Sequence, residues 1–280
     1  MNILRLLALL PLAAATGHAA ADGCRFSAER TLDLDAADLA AVVLDTGAGD
    51  LDIHGVPDLT RIEVRGRACA SSQKLLDEIR LDGARVGVEA KIATRLPNTD
   101  GGWFFSESAW MDVTLRMPAG LRLALRDSSG DVEIEGLAGG MDIKDSSGDL
   151  DLRNVGGGVQ VTDSSGDIDI AHVDGDVTIR SDSSGDIEIS DVRGNALVQE
   201  DSSGDVDFVA ITGTAEVARD SSGDIRFERI GGNAVVGADG SGDIRADTVR
   251  GDFTVERKSG GPESIRHSGV EGRVRVPASR

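Results

Sequence analysis

Asp163 to Ser181 reads DSSGDIDIAHVDGDVTIRS, and at Asp182 the same phrase begins again. The string Asp-Ser-Ser-Gly-Asp starts at Asp127, Asp145, Asp163, Asp182, Asp201 and Asp220, and a variant, Asp-Gly-Ser-Gly-Asp, starts at Asp239. The spacings are 18, 18, 19, 19, 19 and 19 residues, and a weaker echo, Lys258-Ser259-Gly260-Gly261, falls 19 residues later. A fixed period of this length is the signature of a stacked repeat architecture. Counting from the glycine of the string, apolar residues recur at +2, +4 and +7, as in Ile168, Ile170 and Val173, or Val206, Phe208 and Ile211. A second glycine follows nine residues after the first, at Gly139, Gly157, Gly175, Gly194, Gly213, Gly232 and Gly251 in most units followed again by apolar residues at +2 and +4, such as Val177 and Ile179.

Alternation with period two means short strands buried on one face. Two such strands per unit could close hairpins, but a reversal every nine residues would make neighbours antiparallel. Identical units stacked in register explain the sequence better. Each unit is one coil of a parallel β-helix, with strand A over strand A and strand B over strand B, and the extra residue of the longer units falls just before the serine string, as Ser181 does. Seven coils at about 4.8 Å each give a repeat section roughly 34 Å long. Glycine supplies the positive-φ corner. The aspartate before the serines suits an Asx-type turn, accepting backbone N–H groups one to three residues on, and stacked serine hydroxyls can bond along the rod.

Working outward, residues 1–21 carry the marks of a signal peptide: Arg5, an apolar run from Leu6 to Ala15, and Ala19-Ala20-Ala21 as a cleavage site. The chain is therefore expected to be exported, to the periplasm or the cell surface, with lipidation at Cys24 as a competing reading. Its cysteines are Cys24 and Cys69, a pair that suits one disulfide in an exported chain. Residues 22–126 share the repeat's vocabulary without its regularity. Gly49 to Ile53 matches a strand A with Ile62 to Val64 as its follower, Ser71 to Leu81 reads as a short helix, and Val86–Ile92 and Met111–Met117 read as strands. This lobe is expected to cap the solenoid, with residues 127–257 as the β-helix and residues 258–280 as a final coil and tail. If Lys258 to Pro277 leaves the end near Val255 uncovered, end-to-end self-association is expected.

The net charge of −20 is uneven. Residues 127–256 hold 30 Asp/Glu against 9 Lys/Arg, so the acidity belongs to the repeat. That excludes nucleic acid as the partner of this segment, since a polyanion would be repelled. The outward positions of strand A are acidic pairs: Asp131/Glu133, Asp149/Asp151, Asp167/Asp169, Asp186/Glu188 and Asp205/Asp207, changing to Asp224/Arg226 and Asp243/Arg245. Stacking brings like charges to about 4.8 Å, which is unfavourable unless solvent or cations screen them. Two readings stay open. One is a face for Ca²⁺ or a polycation; the other is a solvated surface that prevents sheet-to-sheet aggregation. A calcium-binding nonapeptide roll needs Asp two residues after its last glycine, where this chain has Ile, Val or Leu. A second contact candidate is aromatic: Trp103, Phe104, Phe105 and Trp110 hold four of the eight aromatic residues. They read either as an exposed hot spot or as a plug in the lobe's own core.

The motifs of hydrolases, phosphate loops and zinc proteases are absent, and His18, His54, His172 and His267 have no ligand spacing. Catalytic carboxylates need different environments, whereas repetition gives near-identical ones. No enzyme activity and no cofactor are therefore expected.

Gly49-Asp50-Leu51-Asp52-Ile53-His54-Gly55, the strand ending Met117-Pro118-Ala119-Gly120, and the recurrent Ser-Gly-Asp-apolar-x-apolar together resemble the bacterial putative-adhesin family of exported β-strand repeat proteins, a domain of unknown function. The resemblance spans most of residues 40–276. It implies an envelope-exposed β-repeat fold and a binding or scaffolding role toward a surface protein or glycan, and it carries no binding residues to transfer. The alternatives are a Ca²⁺-ordered protein and a polysaccharide-acting β-helix enzyme.

Overall fold

The computed structural model describes residues 24–98, 107–259 and 261–278. Nine strands and one short helix open the chain: β1 (Phe26–Asp35), β2 (Ala41–Asp45), β3 (Leu51–Val56), β4 (Arg61–Ala70), α1 (Gln73–Glu78), β5 (Arg80–Val86), β6 (Glu89–Arg95), β7 (Ala109–Pro118), β8 (Arg122–Arg126) and β9 (Val132–Glu135). From β8 onward the period-two pattern produces the expected coils, and two twelve-stranded sheets face each other. Sheet A runs through β9, Leu150–Gly156, Ile168–Asp174, Ile187–Val192, Val206–Ile211, Ile225–Ile230, Ile244–Val249 and Ile265–Val270. Sheet B runs through β8, Met141–Lys144, Val159–Thr162, Val177–Ser181, Ala196–Val198, Ala215–Ser222, Ala234–Ser241, Phe253–Lys258 and Val274–Arg275. Every pairing within these series is parallel, and all but one, Val159–Thr162 with Val177–Ser181, hold register throughout, for example Ile168↔Ile187 and Val177↔Ala196. The fold is a parallel β-solenoid of about eight turns.

The core follows the apolar positions. Ile168, Ile170 and Val173 from sheet A and Val177 and Ile179 from sheet B are all within 1 % of complete burial, and the same five positions are buried coil after coil. Fully burying one such side chain is worth about 1.5–3 kcal/mol. Toward the C-terminal end the column widens to Phe208 and Phe227, stacked at 5.3 Å, with Phe253 edge-on to Phe227 at 6.5 Å. At the first corner Gly185 has φ 131°, and an added Cβ would lie 1.9 Å from the Gly166 carbonyl oxygen of the coil before. The corner glycines are thus fixed by both backbone conformation and close contact. At the second corner a polar ladder runs between coils: Asp176 Oδ1 accepts from the Asn195 amide at 2.7 Å, Asn195 Oδ1 from Thr214 at 2.9 Å, and Asn233 Oδ1 from Asp252 at 2.9 Å.

Several local expectations change. In the first of the longer coils the extra residue is Arg180 rather than Ser181: Val161 pairs with Ile179 and Thr162 with Ser181, so Arg180 bulges and its guanidinium reaches Asp142 at 3.1 Å. Ile62–Val64 is not the follower of strand A, because it lies in β4, antiparallel to both β1 and β7. Val86–Ile92 is not one strand, since Gly87, at φ 63°, turns β5 back onto β6. The helix is the six residues Gln73–Glu78, capped by the Ser72 side chain and burying Leu75 and Leu76.

The N-terminal segment continues both sheets rather than sitting beside them. Sheet A extends from β9 through β3, β7, β4 and β1, and sheet B from β8 through β2, β6 and β5. The coil β2–β3 therefore lies between β6–β7 and β8–β9, and the chain steps over it on leaving β7. Antiparallel β1, β4 and β5 close this end. The Cys24–Cys69 disulfide, with Cα atoms 5.1 Å apart, ties the start of β1 to β4.

Candidate functional site

The acidic outer face of sheet A divides into two columns with different chemistry. At +1 each aspartate accepts a hydrogen bond from the backbone amide of its counterpart one coil on. Asp131 Oδ1 takes Asp149 N–H at 3.1 Å, Asp149 takes Asp167 at 3.0 Å, Asp167 takes Asp186 at 2.9 Å and Asp186 takes Asp205 at 2.9 Å. The ladder continues through Asp205 and Asp224 to Asp243, whose Oδ2 accepts from Arg266 at 2.7 Å. It also extends backward through Asp50 and Asp112, which sequence reading passed over. These two join because β3 and β7 are spatial neighbours in an order that the chain does not follow. One oxygen of each of these aspartates is thus engaged in holding coils together.

At +3 no such ladder exists. The register aligns Asp52, Glu133, Asp151, Asp169, Glu188 and Asp207 in one row, followed by Arg226 and Arg245. Arg153 reaches Asp151 at 2.6 Å and Asp169 at 3.5 Å, placing one cation in the middle of the row. The arginines at the far end are answered locally, Arg245 by Asp247 at 2.5 Å and Arg226 by Glu228 at 2.5 Å. Burial, offset by Arg226 and reinforced by Glu188 and Asp205, holds the Asp207 carboxyl above its ordinary value. Among the described residues no three His, Cys, Asp or Glu side chains converge as a metal site, so the calcium reading of this face gains no geometry.

The aspartates that open each serine string point the other way. Asp127, Asp145, Asp163, Asp182, Asp201, Asp220 and Asp239 are only 2–6 % exposed. With Thr46 and Thr94 they are the buried polar residues among those described. They stack in one column inside the first corner, with Asp201↔Asp220↔Asp239 in direct register. The expected Asx-type bond is made at Asp220, whose Oδ1 accepts from Ser222 N–H at 3.1 Å. At Asp145, Asp163, Asp182 and Asp201 neither carboxyl oxygen has a hydrogen-bond partner of good geometry. The amides of the two following serines act on these carboxyls electrostatically and hold their pKa values down. Burial outweighs them, pushing Asp145, Asp182 and Asp201 up to about 6 and Asp220 to about 7, with like-charge neighbours adding to the rise. Asp127 and Asp163 move in the same direction for the same first cause. The column is solvent-excluded yet lies just under the corner of a thin rod, so its desolvation is intermediate. The serine hydroxyls bond to carbonyls of the preceding coil, as Ser165 Oγ does to Ser146 O at 3.2 Å.

Both ends of the column are capped by donors. At the N-terminal end the Thr46 hydroxyl donates to Asp127 Oδ1. At the other end the echo string places Lys258 in register with Asp239, and its Nζ, fully buried, lies 2.6 Å from Asp239 Oδ2. The sequence shows this lysine standing where an aspartate is due; only the structure shows that the position faces inward.

Trp103, Phe104 and Phe105 lie outside the described residues. Trp110 is half-buried in β7, opposite Cys69. His54 lies 2.9 Å from Asp52 and His172 3.5 Å from Asp191, each a surface pair. Among the described residues no helix is long and apolar enough to cross a membrane.

The model of the Toastrack DUF4097 family matches residues 112–182 and 157–262. Among solved structures, the chain is similar to a putative lipid binding protein from Parabacteroides distasonis, at 16 % identity and a TM-score of 0.39 over 91 % of this chain and 98 % of that one. It is also similar to a putative cell adhesion protein from Clostridium sporogenes, at 11 % identity and a TM-score of 0.30 over 89 % and 99 %. A putative adhesin from Bacteroides fragilis matches at 13 % identity and a TM-score of 0.30 over 89 % and 96 %. No curated protein matches in sequence.

Proposed function

The chain belongs to the Toastrack DUF4097 family, and from that premise we propose that it is a non-catalytic, exported scaffold of the cell envelope that binds a cationic partner along the +3 row of sheet A. The observation that carries this reading is the in-register line of Glu133, Asp151, Asp169, Glu188 and Asp207, spaced one coil apart with Arg153 as the only cation inside it among the described residues. A rigid row of carboxylates suits multipoint contact with a basic protein surface, because complementary charge steers encounter and fixes register. Near-identical coils argue against catalysis, which needs two acids in unlike surroundings. The signal-like residues 1–21 support export.

The test is binding of the mature protein to poly-L-lysine across a salt series. Neutralising Asp151, Asp169 and Glu188 to Asn, Asn and Gln, one after another, is expected to weaken binding stepwise and to flatten its salt dependence. Neutralising Asp174, Asp191 and Glu216, which lie off the row, is expected to leave it nearly unchanged. Equal losses from the two sets would reject the row as the contact surface, and abolition by a single substitution would favour a point site such as an enzyme's.

A further inference from the structure

The seven buried aspartates cannot all be ionised. Adjacent carboxylates one coil apart, out of water and with almost no donors, repel strongly, and a buried charge persists only when paired or hydrogen-bonded. The ends of the column determine how that conflict resolves. The Thr46 hydroxyl donates a hydrogen bond to Asp127, which suits a carboxylate there, and the Lys258 ammonium fixes Asp239 as a carboxylate. Seven is odd, so a strict alternation of carboxylate and carboxylic acid fits between two ionised ends, with the acids at the second, fourth and sixth places.

We propose that the column is a proton-binding ladder: Asp145, Asp182 and Asp220 are protonated, each donating to the carboxylate of an adjacent coil, so the solenoid closes around three bound protons. The neutral members then supply the O–H donors that this interior otherwise lacks. The same three residues are the ones whose contact with a neighbouring carboxyl favours their protonated form, while Asp127, Asp163 and Asp201 are the acceptors in those contacts. The inward positions of both sheets are apolar up to the last coil, where His267 stands in register with Ala246 and its ring lies 6.1 Å from that of Phe253, among the apolar positions rather than in the aspartate column. The titratable groups facing the column are therefore its own members and Lys258, together with the Thr46 hydroxyl and the amides of the serine strings.

The sign follows from proton linkage. Groups protonated in the fold and ionised when unfolded contribute stability that is complete below the unfolded carboxyl value of about 3.9, and that is lost as pH rises through the folded values of about 6 to 7. Each proton bound on folding lowers the folding constant about tenfold per pH unit between those limits.

The experiment is chemical denaturation of the mature protein between about pH 5 and 8.5, at constant ionic strength and in chelator. Beside it runs D145N/D182N/D220N, in which amides take the place of the protonated acids. The wild-type midpoint is expected to fall as pH rises to about 7 and then level off, with the folding constant dropping between about tenfold and a thousandfold per pH unit in the steep part. The variant is expected to lose that slope and to be the more stable of the two at pH 8. The two proteins differ only in the column, so the difference between the curves isolates it. A flat wild-type curve, or an equal slope in the variant, overturns the proposal. So does a midpoint raised by Ca²⁺ or Na⁺ in wild type but not in the variant, since cations would then fill the column. If the variant does not fold, the infrared carbonyl band of protonated carboxyls in wild type at pH 5.5, below the folded values of about 6 to 7 and above the ordinary carboxyl range, decides: its presence supports the ladder and its absence overturns it.

Discussion

Each corner of the rod rests on two adjacent facts, a glycine that can have no side chain and an aspartate that has nowhere outside to go. At Gly185 a methyl group would both require an unfavourable positive φ and collide with the Gly166 carbonyl. Gly185→Ala is therefore expected to cost about 3 kcal/mol or more, since neither backbone can withdraw without breaking the ladder. Denaturation of the purified variant would show it, and a loss below about 1 kcal/mol would mean that the corner is softer than its geometry. The glycine requirement is legible in the sequence, because a corner every nine residues leaves few alternatives. The direction of the preceding aspartate is not. Asp, Ser and Gly all suit a turn, and a polar residue in a turn is ordinarily solvated. The residue that betrays the inward column is Lys258, whose buried ammonium has meaning only when Asp239 is seen beneath it. A lone lysine in a degenerate repeat gives no such signal.

At the scale of the strand, the acidic face combines a structural column with a free one. Period two places +1 and +3 on the same side and makes them look equivalent. Hydrogen bonding separates them: Asp167 accepts the Asp186 amide at 2.9 Å, whereas Asp169 meets only Arg153. Asp167→Ala should leave that amide to solvent and cost about 1 kcal/mol. Asp169→Ala should be within about 0.5 kcal/mol of neutral, because it removes an exposed ion pair together with repulsion from Asp151 and Glu188. Paired urea titrations check both values, and the reverse order would mean that the ladder bonds contribute nothing net. The sequence did predict which residues are outward and which apolar positions are buried. It could not separate the two columns, because the bond that distinguishes them joins residues 18 or 19 apart and depends on backbone position rather than residue type. The N-terminal coils were hidden for a related reason. Asp50 and Asp112 extend the same ladder, but β3 and β7 are stacked in an order opposite to the chain's, so no spacing along the sequence reveals that they are neighbours.

The whole molecule is a one-dimensional stack, and in such a stack stability is ordinarily a sum of coil and interface terms that shrinks smoothly as coils are removed. The aspartate column adds a term that is not smooth. It runs through every coil from Thr46 to Lys258, and both ends demand a carboxylate. Deleting residues 182–200 joins Ser181 to Asp201, keeps every strand in register and leaves six aspartates. An even number cannot alternate between two ionised ends, so two carboxylates or two acids must become neighbours. Deleting residues 182–219 removes two coils, leaves five aspartates and restores the alternation. The expected outcome at pH 6 is that the one-coil deletion loses more stability than half of what the two-coil deletion loses. Asp201→Asn in the one-coil background, which supplies a neutral member beside Asp220, should not repair it fully, whereas acidification to about pH 5 should, by adding the missing proton. Denaturation midpoints of the three lengths, measured at both pH values, read this directly. A linear dependence on coil number at pH 6, unchanged at pH 5, would mean that each aspartate settles its charge within its own coil and that the column carries no order along the rod. An odd–even difference that fades in acid would mean that the two ends of the protein, separated by the whole repeat, together set the protonation of everything between them.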